Sequence, residues 1–102
     1  MSVHGDYLIT IQTPNGPVEA ELSVEVDGTH MTGDIHDNNG HKAEITDGHF
    51  DGGHVTWKAH ITDPAPADLV FDGHCDDTAC THIHGEVHAG AAGDFKFTGV
   101  KE

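Results

Sequence analysis

Base is what this sequence is short of. Four Lys and Arg stand against eighteen Asp and Glu, a net charge of −14 with histidine neutral. Holding a phosphate backbone takes clustered Lys and Arg, so nucleic acid is excluded as a partner. An anionic membrane would repel such a chain. No run of 18 apolar residues exists either, so no membrane-spanning helix is expected. The start, Met1-Ser2-Val3-His4-Gly5-Asp6, has neither the basic nor the apolar region of a signal peptide. The location expected on that ground is cytoplasmic. Serine is confined to Ser2 and Ser23, and neither sits in a nucleophile elbow. Cys75 and Cys80 are the only cysteines. They would be free or metal-bound in a reducing setting and a local disulfide in an oxidising one, and the sequence leaves both open. A thiol nucleophile there would lack an evident oxyanion hole.

Helical periodicity is absent as well. No segment combines a cap with apolar residues every three or four positions. What recurs is a period of two, the mark of strands. Val18, Ala20, Leu22, Val24 and Val26 share one parity, and Glu19, Glu21, Ser23 and Glu25 the other. The alternation predicts strands over 6–13, 17–26, 30–36, 41–46, 53–61, 67–75, 81–89 and 94–100. Thr13-Pro14-Asn15-Gly16-Pro17, Asp37-Asn38-Asn39-Gly40, Asp47-Gly48, Asp51-Gly52-Gly53, Asp63-Pro64-Ala65-Pro66 and Gly90-Ala91-Ala92-Gly93 supply turns and loops. The expected fold is all-β: one domain over 1–102, an antiparallel meander of about eight strands closed as a barrel, which removes exposed edges.

A short internal repeat supports that reading. Val26-Asp27-Gly28-Thr29-His30-Met31 matches Phe50-Asp51-Gly52-Gly53-His54-Val55, each a tight hairpin. Met31-Thr32-Gly33-Asp34-Ile35 matches Ile83-His84-Gly85-Glu86-Val87, each an inward pair astride a glycine. The VDG hairpins, the Thr13-Pro14-Asn15-Gly16 turn and the ending Phe95-Lys96-Phe97-Thr98-Gly99-Val100 resemble small bacterial β-barrel domains of uncharacterised role. In strand count alone the architecture is similar to streptavidin and lipocalin barrels. The resemblance implies a fold and no activity. His82-Ile83-His84 with Glu86 also resembles the His-x-His…Glu motif of cupins. The glutamate follows too closely, so cupin ligand roles are not transferred.

Histidine is the residue in surplus, at eleven. Residues 71–88 hold four of them, both cysteines and four carboxylates. His82, His84, Glu86 and His88 share a parity opposite to Ile83 and Val87, so they leave one face about 7 Å apart per two-residue step. Pairing Cys75 with Ile83 would set His74 against His84, Asp72 against Glu86 and Val70 against His88. Pairing Cys75 with Cys80 would tighten the loop, allow a disulfide and set His82 against Gly73. His54 and His60 would add to the same face from the preceding strand. Imidazole is the commonest protein ligand for transition metals.

The first reading is therefore a metalloprotein holding copper or zinc through His74, His82, His84, His88 and Glu86. Were it an enzyme, the metal would act on a small-molecule substrate in hydrolytic, lyase or redox chemistry, with Glu86 and Asp72 as candidate catalytic carboxylates. A non-enzymatic barrel with an apolar ligand in its interior is one alternative. Another is a pH-responsive homodimer whose histidine face is the interface. A looser set, His30, Asp34 and His36 with Glu21 and Glu25 opposite, is a weaker ion site. His4, His41 and His49 lie near loops or the terminus. Protonating every histidine would offset most of the −14, so solubility should reach a minimum near pH 5. Turbidity against pH checks this, and a clear solution throughout refutes it.

Overall fold

The computed structural model describes residues 5–14, 16–37, 40, 42–61, 67–77, 79–90 and 93–102. Eight strands run in chain order: β1 (Gly5–Thr13), β2 (Gly16–Asp27), β3 (His30–Asp37), β4 (Lys42–Asp51), β5 (His54–Ile61), β6 (Ala67–Cys75), β7 (His82–His88) and β8 (Asp94–Lys101). Each pairs antiparallel with the next, and β8 returns to β1, so the sheet closes into a barrel. Among the described residues no helix is long and apolar enough to cross a membrane.

Alternation fills the lumen with side chains. Tyr7 and Ile9, Leu22 and Val24, Met31 and Ile35, Val55, Trp57 and Ala59, Phe71, Ile83, Val87 and Phe97 are all buried. Trp57 stacks on Phe71 at 4.8 Å between ring centres, and Phe97 meets both edge-on. Such aromatic contacts add about 0.5–1.5 kcal/mol beyond the area they bury. Glycines occupy inward positions where strands press together. A Cβ on Gly85 would lie 2.0 Å from the Asp72 carbonyl oxygen, and one on Gly33 1.9 Å from that of Ser23. The matching glycines of the repeat thus serve the same close approach.

One expectation needs correction. β4 does not stop at residue 46, and Asp47-Gly48 is a bulge within it rather than a loop. The register shifts between Thr46 and His49, and Asp47 has φ 51°. The extra residue moves the buried set from Ile45 to Phe50, an odd interval that breaks the period of two. His49 consequently stands on a strand, paired with His30 and Thr56. Of the two registers left open at the cysteines, the structure takes the pairing of Cys75 with Ile83, and Cys75 is also bridged to Cys80, with Cα atoms 4.9 Å apart. Cys80 takes φ 54° and folds back over the barrel mouth, where it is fully buried. Bridging so short a loop stabilises by roughly 2 kcal/mol on the chain-entropy account. His41 and the Asp63-Pro64-Ala65-Pro66 turn lie outside the described residues.

The buried Tyr7 hydroxyl donates to the Cys80 carbonyl at 2.6 Å, tying β1 to that mouth. Burial, helped by the charge of Asp77, pushes the phenol up to about 12. A raised folded value keeps the full contribution below the unfolded value near 10 and loses it as pH climbs toward 12. Tyr7→Phe should lower stability by about 1–2 kcal/mol at neutral pH and abolish that alkaline loss. Urea melts at pH 7 and pH 11 check both. Tyr7 is the sole tyrosine, so absorbance near 295 nm follows its ionisation directly.

Candidate functional site

Because β6 and β7 turn Phe71, Ile83 and Val87 inward, their other parity faces out. The ladder then sets His54 of β5 opposite His74 of β6, and His74 opposite His84 of β7. One row further along, Thr56, Asp72, Glu86 and Lys96 are neighbours across four strands. Side chains opposed across strands have Cβ atoms about 5 Å apart, against about 7 Å for two residues along one strand. Imidazoles therefore gather across the sheet rather than along β7.

The His54 and His74 rings stack, with centres 4.7 Å apart and planes within 15°. The His74 and His84 centres are 6.4 Å apart. Carboxylates accept hydrogen bonds from most of the outward rings. Asp72 takes His54 Nε2 at 2.5 Å, and Asp76 is the ion-pair partner of His84 Nδ1. Asp68 takes His60 Nδ1 at 2.6 Å, and Asp94 takes His88 Nδ1 at 2.9 Å. A ring whose Nδ1–H is held this way has Nε2 left as a lone-pair donor, the arrangement seen behind metal-bound histidines. An open groove of about 540 Å³ runs beside these residues, lined by Asp72, His74, His84, Glu86, His88 and Lys96 among others.

The sequence candidates divide. His74 and His84 face each other, and Asp72 faces Glu86, as the Cys75–Ile83 pairing requires. His82 does not join them. It pairs with Val100, and its Nδ1 lies 3.1 Å from Thr81 Oγ1. His88 stands two pleats from His84 and is held by Asp94. Glu86 is one row away, between Asp72 and Lys96. The cysteines are bridged, so neither offers a thiolate ligand. Among the described residues no three His, Cys, Asp or Glu side chains converge on one point as they stand. The nearest arrangement is the rank His54–His74–His84.

Two members of this surface were not anticipated. Asp76 lies just past β6, where alternation no longer says which way a side chain turns. His49 opposite His30 was hidden by the bulge. The looser set forms only in part. His36 lies 3.9 Å from both Glu21 and Asp34, but Lys42 sits 3.4 Å from Asp34 and supplies a cation already.

Two titrating groups report the local electrostatics. Hydrogen bonds from the Thr81 hydroxyl and amide hold Asp77 below the ordinary carboxylate range. The bond to Asp94 holds His88 above the ordinary histidine value, with smaller help from the charges of Asp94, Glu86 and Asp72. The sign follows: the His88–Asp94 contribution is complete below about 6.5 and fades as pH rises through the raised value. Asp94→Asn should return the His88 midpoint toward 6.5, read by NMR titration of its ring protons, and an unmoved midpoint contradicts the assignment. No protein-family model and no curated protein matches this chain.

Proposed function

We propose that the protein binds a transition metal ion, copper or zinc, on the outer face of its barrel through His54, His74 and His84. The observation that carries this reading is the cross-strand rank itself: three imidazoles on three adjacent strands, with Asp72 and Asp76 behind two of them. With metal–nitrogen bonds of about 2.0 Å, two imidazoles on one ion have ring centres roughly 5–6 Å apart. The 6.4 Å between His74 and His84 is a small side-chain rotation from that spacing. The 4.7 Å stack keeps His54 close enough to follow. All three side chains are exposed, so rotation meets little packing resistance. Mixed imidazole and carboxylate surroundings suit copper and zinc.

His74 and His84 line the groove together with Asp72 and Glu86, and an ion held by the three histidines would supply Lewis-acid chemistry there. Metal-activated water or a polarised carbonyl would then face Asp72 and Glu86, the pair placed to move protons on a small-molecule substrate. A ligand inside the barrel has less support, because Trp57, Phe71, Phe97 and Tyr7 fill the lumen. The Cys75–Cys80 bridge favours an oxidising compartment over the cytoplasm.

Untagged protein should take up zinc(II) or copper(II) near one equivalent by elemental analysis. Free ion at about a hundred times Kd should stabilise the fold by about 2.7 kcal/mol, and chelator should reverse it. His74→Ala with His84→Ala should abolish stoichiometric binding, whereas His82→Ala or His88→Ala should leave it intact. Binding that survives the first pair and is lost with the second would refute the site.

A further inference from the structure

The two cysteines have no place in that ligand set, yet their bridge brackets one residue that touches it. Asp76 is the first residue after β6. Beyond the strand the ladder no longer aims its side chain, but its carboxylate lies against His84 Nδ1 as an ion-pair partner. Its backbone N–H donates to the His82 carbonyl at 2.8 Å. The rest of the connection is tied at Cys80 and Asp77. The Cys80 amide donates to the Asp77 carbonyl at 3.1 Å, and the Cys80 carbonyl accepts from Tyr7. The Asp77 carboxylate accepts from Thr81 N at 2.8 Å and from Thr81 Oγ1 at 2.5 Å. The covalent link among these ties is Cys75–Cys80.

We propose that Asp76 is the positioning residue of the imidazole site and that the Cys75–Cys80 bridge holds it in place, so that the thiol–disulfide state of the chain sets its metal affinity. This rests on the metal-binding reading above. A carboxylate on Nδ1 keeps the ring proton there and presents the Nε2 lone pair outward. Without that partner the ring turns freely and reverts to the Nε2–H form that free imidazole side chains favour. The loss belongs to His84, because His54 has its own carboxylate in Asp72 and, among the described residues, no carboxylate pairs with His74.

Cys75 is half-buried and Cys80 fully buried, so a reductant reaches Cys75 first. A small dithiol attacks the Cys75 sulfur, the S–S bond breaks, and Cys80 leaves as a thiolate that takes a proton. The dithiol's second sulfur then attacks the mixed disulfide and releases Cys75 as its thiol. Two electrons and two protons pass from the dithiol to the cysteines, and the dithiol closes into its own disulfide. Linkage makes the coupling reciprocal: bound metal must make the bridge harder to reduce by the same factor that opening the bridge weakens the metal.

The test uses full-length untagged protein and zinc(II), which is redox-inert. The bridged protein is compared with Cys75→Ser/Cys80→Ser, whose open loop has no thiols to bind zinc themselves, and with Asp76→Asn, whose bridge is intact. Removing a partner behind a ligating histidine typically costs 10–100-fold in affinity, and both variants should weaken zinc binding by about that factor. In metal-free protein at pH 8, nitrogen NMR of His84 should show the Nδ1–H form in the bridged chain and a shift toward Nε2–H in both variants. Fluorescence of Trp57 reports whether the barrel is retained. If the double serine variant fails to fold, Asp76→Asn decides alone. Unchanged affinity or an unchanged His84 tautomer in folded variants overturns the proposal and leaves the metal reading standing. No zinc uptake by the bridged protein overturns both.

Discussion

The register of β7 on β6 is the constraint on which the remaining arrangement depends. Gly85 lies so close to the Asp72 backbone that no side chain fits between them. Its neighbours Ile83 and Val87 are buried, which leaves His84 and Glu86 on the outer surface. A slip of one residue would reverse every side chain: the imidazoles would enter the lumen and the aliphatic residues would meet water. Burying three unpaired imidazoles against Trp57 and Phe71 is far costlier than the present arrangement. The hydrophobic core therefore aligns the polar row from the opposite face of the sheet.

Charge shapes the outer surface in turn. With so little Lys, carboxylates on this barrel find few cationic partners, and Lys42 and Lys58 each take one, Asp34 and Asp47. Most of the remaining described pairings are carboxylate to imidazole. Such exposed pairs contribute little to stability. Their larger effect is orientational. A carboxylate selects which ring nitrogen carries the proton, and the other nitrogen is left for a ligand. An acidic shell thus sets the direction of the imidazoles, and it would also raise the local concentration of cations.

The mouth of the barrel joins core and surface. Tyr7 reaches from the lumen to the Cys80 backbone, Cys80 is bonded to Cys75, and Cys75 precedes the carboxylate that holds His84. One short connection therefore meets a buried hydroxyl, holds a covalent link and carries the carboxylate beside an exposed imidazole.

Much of this was legible in the chain. A period of two identifies strands because successive side chains leave opposite faces, and Asp-Gly turns delimit them. The matching glycine-centred segments suggested the Cys75–Ile83 pairing, one of two registers left open, and with it the opposition of His74 to His84 and of Asp72 to Glu86. Where the rule of alternation was interrupted, prediction failed. The bulge at Asp47-Gly48 inverted parity within β4 and concealed His49. The folded-back Cys80 joins a disulfide to the Cys75–Ile83 register, a combination on which alternation is silent. Grouping His82 and His88 with His84 trusted proximity along the chain, where pleating in fact spreads side chains apart. The sequence by itself thus determined strand, face and the outward direction of the histidines, because these depend on neighbours one or two residues away. Which imidazoles stand side by side, and which carboxylate holds each ring, only the closed barrel decided, because those distances are set between strands by packing far from the residues concerned.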